Sequence, residues 1–376
     1  MTMATDAMPG DRAPVALEDV ELGVVGKALS AASAAGDLVL RTAASTLVTG
    51  TMLPFAGRRD LLAEAERMAF YAELADHGDA ATAFVAPDGP PPGVVTRRIS
   101  PLRTGRRRGR VELSSFPSRY VPHHQDLRAR WAEESPNSTM WMQHWRHHDG
   151  PRPTLLVCHG FMASPYLLNS AFFSLPWFYS HGYDVVLVTL PFHDRRREPK
   201  LSYSGAGLFS DGMAHLNESL FQAVHDIRSV IDHLETLGVP RVGMTGLSLG
   251  GYTTAMMASA EPRLSFAIPN CAVVDLRGIG DAWQPIGMLT DLAMRRAGLD
   301  QAVADRAMRV HSPLNYRPQV SWDRRFIIHG VGDRLAPPEQ GAALWEHWDR
   351  PKVHWFPGNH TLHLNREAYL RRMGRF

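Results

Sequence analysis

The sequence predicts an α/β fold, a mostly parallel sheet covered on both faces by helices. Three observations carry this expectation. Short, mostly apolar runs without alternation recur at residues 154–158, 184–190, 242–245, 264–274 and 325–328. A strand buried on both faces reads this way, because neither side meets water. Helix-period segments alternate with these runs, which is the order of a parallel sheet with crossover helices. Finally, Gly246-Leu247-Ser248-Leu249-Gly250 stands between one such run and the small-residue stretch Gly251-Tyr252-Thr253-Thr254-Ala255.

Taken in order, residues 1–14 read as disordered, and residues 17–75 are Ala-rich and helical with a break near Pro54 and Gly57. Leu61, Leu62, Ala65, Met68, Ala69 and Ala72 form an apolar stripe at helical spacing. Lys27, Asp37 and Arg41 suit a surface helix better than a membrane span. Residues 87–93 hold four prolines and two glycines, a sharp boundary. The chain therefore divides into a helical N-terminal extension with linker, residues 1–93, and a main domain, residues 94–376. The simplest role for the extension is packing on its own domain; an oligomerisation element and a membrane-docking segment are the alternatives.

Residues 110–116 and 139–145 read as early antiparallel strands. The five arginines of residues 103–110 surround two glycines without aromatic interleaving. They read as an exposed hairpin turn rather than a nucleic-acid surface. His123, His124, His144, His147 and His148 lack cysteine partners and zinc spacing, so a solvated loop before residue 154 is expected. Gly205-Ala206-Gly207 follows no strand and implies no dinucleotide site. Residues 217–237 form the clearest helix, with Leu220, Val224, Ile227, Ile231 and Leu234 on one side and Gly238 and Pro240 closing it.

The strand that follows leads straight to Ser248. A serine at the tip of so sharp a turn needs neighbours without side chains, which Gly246 and Gly250 supply. Residues 281–309 read as one or two helices with Trp283, Ile286, Met288, Leu289, Leu292 and Met294 apolar. Asp333 lies in the loop after the strand at residues 325–328. His360 follows residues 353–356 on the turn Pro357-Gly358-Asn359. Asp333 is preferred to Asp275, and His360 to His363, because each sits in the loop directly after its strand. A hydroxyl is a poor nucleophile until a base takes its proton, and imidazole titrates near neutral pH. A carboxylate on the far ring nitrogen fixes the tautomer.

The order Ser248, Asp333, His360, with the loop His159-Gly160-Phe161 after residues 154–158, resembles the α/β-hydrolase superfamily in its serine-nucleophile, esterase- and lipase-like branch. The resemblance covers residues 110–376. It implies an α/β-hydrolase fold with Ser248 as nucleophile, His360 as general base and Asp333 as the orienting acid. It further implies the backbone N–H groups of Phe161 and Leu249 as oxyanion donors, with His159 and Gly160 shaping that loop. In such enzymes an insertion after the strand read at residues 264–274 often forms a lid; residues 276–320 are the candidate, a plain covering layer being the rival reading. As a lid they would bring Trp283, Met288 and Leu289 to an acyl or alkyl pocket, with part of Phe172, Phe173, Trp177 and Phe178.

The implied reaction is hydrolysis of a carboxylic ester through an acyl-enzyme, with no metal or organic cofactor. The same residues would also serve a thioesterase, an acyltransferase or a peptidase, and a non-catalytic ligand-binding protein is the rival from another class. The expected partner is a small acyl ester with an apolar portion and no nucleic acid; the N-terminal region is a candidate for peripheral membrane contact. The 376 residues carry a formal charge of +2 and 21% charged residues, ordinary for a globular protein. Cys158 and Cys271 read as buried thiols. No apolar segment near the N-terminus suggests a secretory signal, and residues 42–57 are too short and interrupted to span a membrane. A cytoplasmic location follows as the default, with membrane association left open.

Overall fold

The computed structural model describes residues 16–52, 58–133, 135–162 and 166–375. The disorder expected at residues 1–14 and the helix break at Pro54 and Gly57 lie outside them. The described strands are β1 (Val95–Thr104), β2 (Arg107–Pro117), β3 (Thr139–His147), β4 (Thr154–Cys158), β5 (Asp184–Val188), β6 (Val242–Leu247), β7 (Leu264–Asn270), β8 (Phe326–Gly330) and β9 (Lys352–Phe356). They form one sheet in the order β1-β2-β3-β5-β4-β6-β7-β8-β9. β1 to β3 are antiparallel to one another, β3 is antiparallel to β5, and all remaining pairings are parallel.

The helices that precede β5 in the chain are α1 (Val24–Met52), α2 (Arg58–Asp76), α3 (Ala80–Ala83), α4 (Gln125–Ala132), α5 (Tyr166–Phe172) and α6 (Leu175–Ser180). Those that follow are α7 (Gly212–Thr236), α8 (Leu249–Ala260), α9 (Leu276–Ala282), α10 (Ile286–Ala297), α11 (Gln301–Met308), α12 (Pro338–His347) and α13 (Arg366–Met373). No described helix is long and apolar enough to cross a membrane.

The central strands are buried along their whole length, which is why their sequences lack alternation. Side chains alternate in direction, so each strand feeds two cores. Leu156, Cys158 and Met244 join α7, α8 and α2 on one face, whereas Leu155, Val157 and Ile268 join α6 and α13 on the other. In α7 the expected stripe of Leu220, Val224, Ile227, Ile231 and Leu234 is buried. Gly238 follows with φ +76, and the Val239 N–H bonds back to the Leu234 carbonyl, satisfying the helix end.

Two expectations are corrected. β7 stops at Asn270 instead of residue 274, because Cys271 takes φ +43 and turns the chain out of the sheet. His144 and His147 are not in a solvated loop but buried in β3. The His147 ring Nδ1 meets the buried Asp184 carboxylate at 2.8 Å, which supplies the partner that burial demands. Residues 281–309 hold α10 and α11, Gly298 at φ +67 ending the first and Asp300 capping the second, while α9 lies almost wholly before them. The arginine-rich segment is a hairpin turn, with Gly105 at φ +58 between β1 and β2.

Candidate active site

The strand register gathers the carboxyl ends of five strands, β4 and β6 to β9, along one sheet edge. Cys158 pairs with Gly246, Leu247 with Asn270, and Gly330 with Phe356. β4 lies between β5 and β6, so successive crossovers leave in opposite directions there, and the crevice beyond that point is where open α/β sheets hold ligands. His159 follows β4, Ser248 follows β6, Asp333 follows β8 and His360 follows β9.

Ser248 has φ 57 and ψ −115, a backbone state that non-glycine residues avoid, held between β6 and α8. The flanking glycines are sterically required. A Cβ on Gly246 would stand 2.3 Å from the Gly250 carbonyl oxygen, and one on Gly250 would stand 2.1 Å from the Cys158 oxygen. A Cβ on Gly251 would stand 2.7 Å from the Asn270 oxygen, so its absence lets α8 press against the sheet.

Asp333 is fully buried. One carboxylate oxygen accepts the N–H groups of Leu335 at 2.9 Å and Ala336 at 2.8 Å, and the other meets His360 Nδ1 at 2.7 Å. An ionised carboxylate only accepts, so Nδ1 carries the proton and Nε2 keeps its lone pair free for a substrate-side proton. Burial alone would lower the His360 pKa, but the charge and hydrogen bond of Asp333, aided by Asp37, raise it above 6.5. Burial would raise the Asp333 pKa, yet His360 and His329 together with the Ala336 N–H hold it below 3.8. Among the described residues no hydrogen bond joins the Ser248 hydroxyl to His360; such bonds are often long in ligand-free enzymes and close with substrate.

The rivals are engaged elsewhere. The Asp275 side chain caps α9 by accepting from Gly278 N at 2.9 Å. His363 Nδ1 meets the Tyr369 hydroxyl at 2.9 Å. His329 Nε2 donates to the Ala336 carbonyl at 2.9 Å. Cys271 lies beside Asp333 and His360, with the three potential ligand atoms within 4.8 Å of one another. Burial pushes this thiol well above its usual value and the Asp333 charge adds to the effect, so it stays a neutral S–H and makes a poor metal ligand.

Leu249 opens α8, so its N–H has no intrahelical acceptor and sits at the positive end of the helix dipole. The N–H of Phe161 likewise has no acceptor among the described residues. His159 is buried, with Nδ1 on the Gly160 carbonyl at 2.9 Å and Nε2 accepting from Leu190 N at 3.1 Å. Burial lowers its pKa to about 4, so it remains neutral and braces the loop. A Cβ on Gly160 would approach the Leu247 oxygen at 3.4 Å and the Ser248 Cβ at 3.5 Å, which fixes how near this loop comes to the serine.

One residue at this site escapes sequence reasoning. Asp37, in the middle of α1, is fully buried, and its Oδ2 accepts the backbone N–H groups of both Arg334 and His360 at 3.0 Å. Nearby, Ser30 Oγ accepts from Gly358 N at 3.2 Å, and Asn359 Nδ2 donates to the Ser33 carbonyl at 2.7 Å. The first long helix thus ties together the loops of Asp333 and His360. Its spacing to Arg41 is that of an exposed i,i+4 ion pair, and this disguised it as a surface charge.

An apolar cavity of about 160 Å³ opens at Ser248, Leu249 and Phe161. Val48 and Met52 of α1, Ile279 of α9, and Trp283 and Ile286 beyond it wall the cavity. Trp283, an expected pocket residue, thus lines the cavity at Ser248. Leu289 lines a second cavity of about 350 Å³. Met288 lines neither and is 59% exposed, because one residue along a helix turns the side chain to another face. Phe172, Phe173, Trp177 and Phe178 pack instead on the opposite face of the sheet. The insertion thus covers the serine side of the sheet jointly with α1.

A model of the prolyl oligopeptidase family matches residues 220–356, a stretch that includes Ser248 and Asp333 and ends before His360. An uncharacterized protein of Mycobacterium tuberculosis, known from two strains, is 32% identical over 260 residues, covering 65% of this chain and 59% of that protein. The match thus spans less than two thirds of these relatives' length. An acetyl xylan esterase from a Paenibacillus species superposes with a TM-score of 0.55 at 14% identity, covering 83% of this chain and 93% of that one. Acetyl xylan esterase 1 from a Thermoanaerobacterium species gives a TM-score of 0.55 at 12% identity, covering 81% and 92%. At such identities the likeness is one of fold.

Proposed function

We propose that this chain, a member of the serine α/β-hydrolase superfamily, hydrolyses a carboxylic ester through an acyl-enzyme on Ser248. The observation that carries the ester reading is the lining of the cavity at Ser248. Its one charged residue among those described is Arg277, which is already paired with Asp281, Asp291 and Asp305. A peptide substrate would bring polar amide groups into this space, and burying each without a partner costs free energy. A hydrocarbon portion has no such need.

In this reading His360 Nε2 takes the Ser248 proton as the hydroxyl attacks the carbonyl carbon. The oxyanion then forms against the N–H groups of Leu249 and Phe161; losing one such donor costs about 2.7–4 kcal/mol of transition-state stabilisation. His360 next protonates the leaving alcohol, and water releases the acyl group by the reverse proton path. Asp333 keeps the imidazole oriented and stabilises its charged form.

A second reading, cleavage of a peptide or aminoacyl amide by the same residues, is favoured by the prolyl oligopeptidase family match. A fluorophosphonate probe should label the wild-type chain and not Ser248→Ala. On the same preparations, esters should turn over faster than matched thioesters and aminoacyl amides. Undiminished labelling of Ser248→Ala would overturn the serine assignment, and faster amide turnover would favour the peptidase.

A further inference from the structure

We propose that the acyl part of the substrate is a long unbranched hydrocarbon chain, running from Ser248 between the N-terminal helices and the inserted helix α10. This rests on the ester reading above and adds its substrate class.

The space beside Ser248 is small, about 160 Å³. The second cavity, about 350 Å³, is more than twice as large. Met52, Phe209, Met213, Ile286 and Thr290 line both, so a single layer of side chains separates them. Two of these five are methionines, whose unbranched side chains repack readily to admit an apolar chain. Past this layer the walls are Leu61 and Ala65 of α2 facing Leu289 and Ala293 of α10. Glu64, Arg67, Asp211 and Arg296 also line this second cavity, but Glu64 already accepts the Ala214 N–H at 2.7 Å and Asp211 is paired with Arg130, so a hydrocarbon passing the apolar walls strips neither of its partner.

The same geometry separates acyl from alcohol. The leaving oxygen must come within hydrogen-bond reach of His360, which receives and returns the proton. His360 lines neither cavity, whereas Leu249 and Phe161, the candidate donors to the carbonyl oxygen, line the first. The chain that occupies these spaces is therefore the one attached to the carbonyl carbon. An alcohol would depart on the His360 side.

The test uses the full chain and 4-nitrophenyl esters of straight acyl groups from two to sixteen carbons, with alkyl acetates as the opposing arm. Each buried methylene adds up to about fourfold in kcat/KM, so the acyl series should climb while the alkyl acetates stay flat. Ala293→Trp fills only the second cavity. It should leave the butyrate ester within about twofold of wild type and lower kcat/KM for the dodecanoate at least about tenfold. Leu289→Ala, which widens the same cavity, should move the optimum to longer chains.

A flat or falling acyl series would overturn the proposal, as would a climb confined to the alkyl acetates. Equal effects of Ala293→Trp on butyrate and dodecanoate, with an unmoved optimum in Leu289→Ala, would do the same. Turnover of no ester at all would instead remove the ester reading on which the proposal stands.

Discussion

Asp37 Oδ2 accepts the backbone N–H of His360 at 3.0 Å, so a carboxylate on the first long helix positions the candidate general base. Removing it should be felt at the site. Asp37→Ala leaves the N–H groups of His360 and Arg334 buried and unpaired, at about 1–3 kcal/mol each. The expected outcome is a lower Tm and a kcat reduced roughly 10- to 100-fold, because a loosened base costs transition-state geometry. Thermal denaturation and ester kinetics on the purified variant would check both. Unchanged kcat would mean that α1 merely covers the site.

The conservative variant isolates the charge. Asp37→Asn keeps an acceptor for both N–H groups, so Tm should hardly change. The negative charge that favours the imidazolium is lost, and the rising limb of the pH–rate profile should move to lower pH. A simply structural role would leave that limb where it is.

For the wild-type chain the sign is set by the same groups. The base works unprotonated, and Asp333 with Asp37 raises the His360 pKa above 6.5 despite burial. Activity should therefore rise with a midpoint on the alkaline side of 6.5, and fall away as pH drops through it. A profile of kcat/KM from pH 5 to 9 measures this, and a midpoint below 6.5 would contradict the paired, buried imidazole.

Asp333→Asn should keep the fold and lose the reaction. An amide can offer its N–H to Nδ1 and so force the wrong ring tautomer, an effect of about 10⁴-fold in kcat for serine triads. Steady-state kinetics and slowed fluorophosphonate labelling would report it. A loss below tenfold would point to another acid.

Gly250→Ala tests the elbow without touching any proposed catalytic side chain. Its Cβ would overlap the Cys158 carbonyl, 2.1 Å away, and neither strand nor helix can move freely. Destabilisation of about 1–3 kcal/mol or more is expected, measured by urea unfolding, together with lost labelling of Ser248.

Much of the site was legible because it is local. A glycine-flanked serine after an apolar strand can hardly fold otherwise, and the loops of Asp333 and His360 each follow a strand directly. The pocket was legible only in part. Of the three residues expected there, Trp283 lines the cavity at Ser248, Leu289 only the second cavity and Met288 neither, since which face of a helix meets a cavity depends on its partners rather than its own period. His144 and His147 were misplaced because a buried histidine reads as polar until its partner, here Asp184, is known.

By itself the sequence determined the alternating α/β order, the sharp turn at Ser248 and the chain positions of Asp333 and His360, because apolar runs and glycine geometry act over a few residues. Only the tertiary structure decided that Asp37 is buried against the loop of His360, that α1 and α10 jointly wall the space beside Ser248, and that Phe172 belongs to the other side of the sheet. Those outcomes depend on contacts between residues hundreds of positions apart. Which partner relieves a buried charge or fills a gap is set by the assembled packing, and no local pattern encodes it.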